Sequence, residues 1–90
     1  MFTGIIETLG TIQKLEEEGD NLHLTIQSDI SKLLKIDQSI AHNGVCLTVV
    51  AKNEEAHVVT AIHETMIKTS LGQLKVGDKL NLERCMRADS

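Results

Sequence analysis

The sequence predicts an all-β fold, a small Greek-key barrel. Three observations carry that expectation. The apolar residues recur with period two, turn signals separate the runs, and a seven-residue pattern occurs twice at equivalent places. Alternation over five to eight residues, rich in β-branched side chains, argues for strands with one face on a core.

The strands can be taken in order. The first lies near Gly10–Leu15. It is followed by Glu18-Gly19-Asp20-Asn21, a hairpin turn, and by a second strand in which Leu22, Leu24 and Ile26 alternate with His23, Thr25 and Gln27. Asn43-Gly44 marks a turn ahead of Val45–Val50, where Val45, Leu47 and Val49 alternate with Cys46, Thr48 and Val50. Both faces of that run are fairly apolar, so it is expected to be buried on both sides or to line a pocket. Lys52-Asn53-Glu54-Glu55 turns the chain into a strand where Val58, Thr60 and Ile62 interleave with Val59 and Ala61. Val76-Gly77-Asp78 leads into the last strand, around Leu80 and Leu82.

Two short helices fit the remainder. In Ser28–Leu34, Ser28 or Asp29 can cap the first turn, and Ile30, Leu33 and Leu34 share a face. In His63–Gly72, Met66, Ile67 and Leu71 recur at helical spacing and Gly72 is a natural C-cap. Both depend on packing against the barrel ends. Leu34–Ile40 echoes Leu74–Leu80, each copy following a helix and entering a strand. That suits a barrel with approximate internal symmetry.

Composition narrows the function. Ninety residues make one domain with a thin core, so a second body over any active site is plausible. The net charge is −4 and the sole aromatic is Phe2, which argues against nucleic acid. No apolar run approaches membrane-spanning length, and the N-terminus lacks the pattern of a signal peptide. A soluble protein of the cytoplasm is the expectation, with Cys46 and Cys85 reduced.

The histidines and cysteines form no metal-binding motif, so they read as exposed or locally bonded groups. Cys46, on an apolar strand, reads as a small core residue before an activated thiolate. His42 could lie near it, but sequence supplies no geometry for such a pair. The small and hydroxyl-bearing residues Ser39, Ala41, Cys46, Thr48, Thr60, Ala61 and Thr65 would let a flat ligand approach strand backbone. Close packing of small side chains explains their size equally well.

Three segments then point to a family. MFTGI at the N-terminus, AHNGVCLTVV at residues 41–50 and HETMIKTSLGQLKVGDKLNLER from His63 together resemble the N-terminal lumazine-binding barrel of riboflavin synthase. The resemblance implies a six-stranded antiparallel barrel with one or two short helices. It implies a ligand, 6,7-dimethyl-8-ribityllumazine or the product riboflavin, and a reaction in which two lumazines give riboflavin and a ribitylamino-pyrimidinedione without metal or redox cofactor.

It also implies positions. Gly4, Ile5 and Ile6 match the first strand's ligand contacts. Cys46, Leu47 and Thr48 match the strand that reads the ring edge through backbone groups. Thr60, Ala61, Ile62, His63, Glu64 and Thr65 match the segment that closes over the ring, with Ser39 nearby and Phe2 either at the mouth of the site or a plain core anchor. Cys46, Thr48 and His42 are the candidates for proton transfer. The family's enzyme carries two barrels per chain and forms its site between barrels of different subunits. This chain would be the first barrel of a longer, trimeric enzyme, cut or proteolysed where the second begins, or else a natural single-barrel protein, and by itself a dimer of barrels. The alternative is a lumazine- or flavin-carrying protein like those of luminous bacteria, which bind without synthesis.

Overall fold

The computed structural model describes residues 8–62 and 73–84. Six strands follow one another: β1 (Thr8–Glu18), β2 (Asn21–Gln27), β3 (Ser39–His42), β4 (Val45–Lys52), β5 (Ala56–Ile62) and β6 (Lys79–Arg84). They close into an antiparallel barrel in the order β1-β2-β5-β4-β3-β6. Hairpins join β1 to β2, β3 to β4 and β4 to β5. The other neighbours are distant in sequence, the connectivity expected of a Greek key.

Period two decides which side chains enter the barrel. Ile12, Leu24, Ile26, Ile40, Leu47, Val49, Val59, Ala61, Leu80 and Leu82 fill the interior. Such a small barrel is a packed core with no lumen for a ligand. Gly10 also faces inward. A Cβ there would stand 2.5 Å from Ile26 Cγ2 and 2.9 Å from Leu82 Cδ1.

The turns are those the sequence marks. Gly19-Asp20 links β1 and β2, with Gly19 at φ 60°. Asn43-Gly44 links β3 and β4 with both residues at positive φ, the twist that matches a two-residue hairpin. Asn53 Oδ1 accepts from the backbone N–H groups of Glu55 and Ala56, which fixes the β4–β5 turn.

The internal echo is structural. Exchanging β1 with β4, β2 with β5 and β3 with β6 returns the same ring of neighbours. Asp37 N–H donates to Val49 C=O and Val49 N–H to Gln38 C=O. In the other half, Gly77 N–H donates to Ile12 C=O and Ile12 N–H to Asp78 C=O. Gln38 accepts from Lys35 N–H at 2.9 Å, as Asp78 does from Lys75 N–H. Just past those contacts both β1 and β4 shift register, between Ile12 and Lys14 and between Val49 and Ala51.

The first helix is shorter than expected. Only a 3₁₀ turn forms, Ser31–Leu33, and neither Ser28 nor Asp29 caps it; Ile30 holds the N-cap position without a side-chain bond. Ser28 is committed elsewhere, to the Ser31 hydroxyl at 2.8 Å. The turn buries Ile30 and Leu34 in the barrel end, whereas Leu33 points to solvent. The tighter winding carries Leu33 off the face it would share in an α-helix. The second expected helix, His63–Gly72, lies outside the described residues.

Of the two expectations for β4, burial on both sides does not hold. Leu47 and Val49 are buried, but Cys46, Thr48 and Val50 are exposed, so the strand has one core face and one open face.

Candidate functional site on the outer barrel face

Register brings the small residues together on the outside. In β3–β4, Ser39 pairs with Thr48 and Ala41 with Cys46, while the intervening pair Ile40–Leu47 points inward. Cys46 is therefore an exposed free thiol and no core residue. On the other side of β4, pairing with β5 runs through Lys52–His57 and Ala51–Val58 to Val49–Val59 and stops there. Val49 and Val59 are both inward, so Thr48 and Thr60, the next residues on each strand, both face outward. Ser39, Cys46, Thr48 and Thr60 thus form one outer band across three strands, whereas Ala41, of the same parity, is itself buried. Leu47 and Ala61 point into the core, which leaves only their backbone groups for contact with a ligand. Ile62 is exposed at the end of β5. Gly4, Ile5, Ile6, His63, Glu64 and Thr65, together with Phe2 and Cys85, lie outside the described residues.

His42 does not join this band. It pairs with Val45, on the inward side, and is fully buried. Its partner is His57 of β5, which shares the inward parity of Val59 and Ala61. The two Nε2 atoms are 3.1 Å apart. Four side chains form one chain of hydrogen bonds with a fixed direction. The Ile40 carbonyl can only accept, so His42 Nδ1 donates to it at 3.0 Å. His42 Nε2 is then an acceptor for His57 Nε2–H. His57 Nδ1 accepts from the Ser31 hydroxyl at 2.7 Å, and Ser31 accepts from Ser28 at 2.8 Å.

Both imidazoles must be neutral for this order to hold. Burial lowers His42 to about 3, with repulsion from His57 adding to the shift and the bond to Ile40 opposing it. Burial lowers His57 to about 4. The network joins β3, β5 and the 3₁₀ turn. Sequence reasoning missed His57 and Ser31, although the parity of His57 with Val59 and Ala61 already assigns it to the core.

His23 is the other well-placed histidine, and it faces outward. It sits opposite Thr60 in the β2–β5 register, with Nδ1 2.8 Å from Thr60 Oγ1 and Nε2 2.8 Å from Glu18 Oε1. No group of three or more metal-ligating side chains occurs among the described residues. None of their helices is long and apolar enough to cross a membrane. An open cleft of about 460 Å³ lies away from the band, between β1 and the 3₁₀ turn, and is lined by Thr11, Gln27, Asp29, Lys32, Glu54 and Glu55 among others. Its walls are mainly polar and include three carboxylates, a poor match to the mostly apolar lining usual for a flat heterocycle.

Comparison with known proteins decides the family, because the lumazine-binding domain model matches residues 3–85. The chain belongs to the lumazine-binding domain family. It is 43% identical over 90 residues to the riboflavin synthase of Bacillus amyloliquefaciens, and 44% identical over 90 residues to that of Bacillus subtilis (strain 168). Each alignment covers 99% of this chain and 42% of the relative. The riboflavin synthase of Photobacterium phosphoreum is 40% identical over 88 residues, 96% of this chain and 40% of the relative. The chain thus spans about two fifths of the length of the riboflavin synthases it matches.

Among solved structures, LumP complexed with 6,7-dimethyl-8-(1'-D-ribityl) lumazine superposes with a TM-score of 0.86 at 29% identity, over 94% of this chain and 49% of that one. LumP complexed with riboflavin superposes with a TM-score of 0.85 at 29% identity, over 93% of this chain and 46% of that one.

Proposed function

We propose that this chain is the N-terminal barrel of a riboflavin synthase, and that it holds 6,7-dimethyl-8-ribityllumazine or riboflavin against the outer band. The observation that carries this reading is the band itself. Ser39, Cys46, Thr48 and Thr60 share one outer face where the β4–β5 register stops. Small side chains let a planar ring approach the strands, and the backbone beside the gap offers donors and acceptors for the pyrimidinedione edge.

The chemistry asks mainly for positioning. The lumazine 7-methyl group is acidic because its anion delocalises into the ring, so a site that aligns two rings and stabilises the developing charge supplies much of the catalysis. One barrel supplies one ring's site. The full reaction therefore needs a second barrel facing the first, from a second copy or from further chain, with a trimer as the assembly of the complete enzyme. Cys46 and Thr48 are suitably placed to touch the ring. His42 would affect it only through the β3–β4 hairpin. Action in the cytoplasm, without metal or redox cofactor, is part of this reading.

The carrier reading, a lumazine- or flavin-binding protein without synthesis, is the weaker one. The sequence matches at 40–44% identity are riboflavin synthases, whereas LumP is similar at 29–30%. Fluorescence titration with riboflavin and with the lumazine tests binding. Quenching is expected at tens of micromolar or below, and its absence there would sink the proposal. Thr48→Leu should abolish quenching while leaving the melting temperature nearly unchanged, because Thr48 is exposed and its replacement fills space above the strand. Unaltered binding in that variant would place the ring elsewhere.

A further inference from the structure

The outer band has a proton acceptor at its edge. His23 Nδ1 meets the Thr60 hydroxyl at 2.8 Å, and its Nε2 meets Glu18 Oε1 at 2.8 Å. A carboxylate accepts and does not donate, so Nε2 carries the ring proton. Nδ1 is then a free lone pair, and the hydroxyl points its hydrogen at it. The order hydroxyl, imidazole, carboxylate is the one in which a base polarises a hydroxyl while a third group fixes the base's tautomer and tilt. Three strands contribute one member each, β5, β2 and the end of β1. The groups grade outward: Thr60 is half-buried, the His23 side chain is 27% exposed and Glu18 is 77% exposed. Water therefore reaches the imidazole from the Glu18 side, while the hydroxyl end lies on the outer band.

We propose that Thr60 is a catalytic residue of the ligand face, and that His23 and Glu18 act through it as a proton relay. The inference rests on the reading that a lumazine ring lies on this band. The methyl C–H bond of the ring breaks and its proton passes to Thr60 Oγ1 as Thr60's own proton moves to His23 Nδ1. The electron pair stays on the ring as a delocalised anion, and His23 becomes an imidazolium whose Nε2–H remains on Glu18. Reversal returns a proton to the carbon. No oxidant or further reactant is needed. His42 and His57, the other histidines among the described residues, face inward and cannot do this.

The test follows deuterium exchange of the lumazine methyl protons by proton NMR, on the same samples whose ligand affinity is measured by fluorescence. The parent chain should speed exchange on the order of a hundredfold over free ligand, the lower range of general acid–base catalysis. His23→Gln and Thr60→Val should each lose about tenfold or more of that acceleration with affinity kept within about threefold. Glu18→Gln should lose part of it. A purely structural cross-strand contact would alter affinity or stability and leave the exchange rate at equal occupancy unmoved. Should His23→Gln fail to fold, Thr60→Val carries the same comparison. Equal exchange rates in parent and His23→Gln at equal occupancy overturn the proposal alone. Failure of the parent to bind overturns the reading beneath it, and the proposal with it.

Discussion

Acidification should destabilise this barrel well before its carboxylates titrate, and the His42–His57 pair sets the size of the effect. Both imidazoles are buried and are lowered from 6.5, to about 3 and about 4. A folded-state pKa below the unfolded one means that the unfolded chain binds more protons across the interval between them. The stability contributed by the neutral pair is therefore complete above about pH 6.5 and falls as pH drops through the interval. At about pH 5 each group has crossed roughly 1.5 units of that interval, which is about 2 kcal/mol per histidine and about 4 kcal/mol for both. The figure does not depend on how the two native pKa values divide between the rings, provided both lie below 5. Against a typical domain stability of about 5–15 kcal/mol, a loss of that size is large.

Urea unfolding at several pH values between about 7 and 5 measures it directly. The control is the double variant His42→Leu, His57→Leu, which replaces both partners by apolar groups and leaves neither imidazole unsatisfied. His23 and His63 remain in both proteins, so the difference in slope belongs to the buried pair. A parent and a double variant that lose stability equally between pH 7 and pH 5 would refute the reasoning.

Two further outcomes follow from the backbone. Gly10→Ala should destabilise by about 1–3 kcal/mol, because the new methyl meets Ile26 Cγ2 at 2.5 Å and Ile26, branched at Cβ, has little freedom to turn away; thermal melting reads this as a fall of several degrees. Asp37→Gly should raise stability by about 0.5–1 kcal/mol, since Asp37 holds φ 73° where its symmetry counterpart is Gly77 at φ 96°. An unchanged or lowered melting temperature would show that the Asp37 side chain offsets its own backbone strain.

The strands were legible because period two is a direct readout of the pleat. Leu22, Leu24 and Ile26 announce an inner face regardless of what they touch. β3 is harder to read: Ser39–His42 has four residues, too few for alternation to stand out, and it is marked by the echo of Leu34–Ile40 in Leu74–Leu80 and by the Asn43-Gly44 turn that follows it. The 3₁₀ turn was misread as a capped helix because Ser28 has a hydroxyl suited to capping, and which partner that hydroxyl takes depends on Ser31 and His57, a partner 26 residues beyond Ser31. The same limit applied to the site. Small residues could be gathered from the sequence, but facing could not. In sequence Cys46 reads as core because its neighbours are apolar, and His42 reads as available because it is near Cys46. Register puts one outside and the other inside. His23, bonded across 37 positions to Thr60, carries no local signal at all.

The place of β6 has a consequence for how the chain is made. It is the last of the described strands in sequence, yet it lies between β1 and β3. Until residues 79–84 leave the ribosome, the first five strands can form only an open sheet whose two edges are β1 and β3. Each edge presents unpaired backbone to any other nascent chain. Closure joins Thr8 to Leu82, contacts that nearly span the barrel's sequence, so closure must wait for synthesis of β6 and should be slow for a domain of this size. During that interval β1 and β3 are the segments most exposed to mispairing, and the short length of β3 limits the damage at one of them.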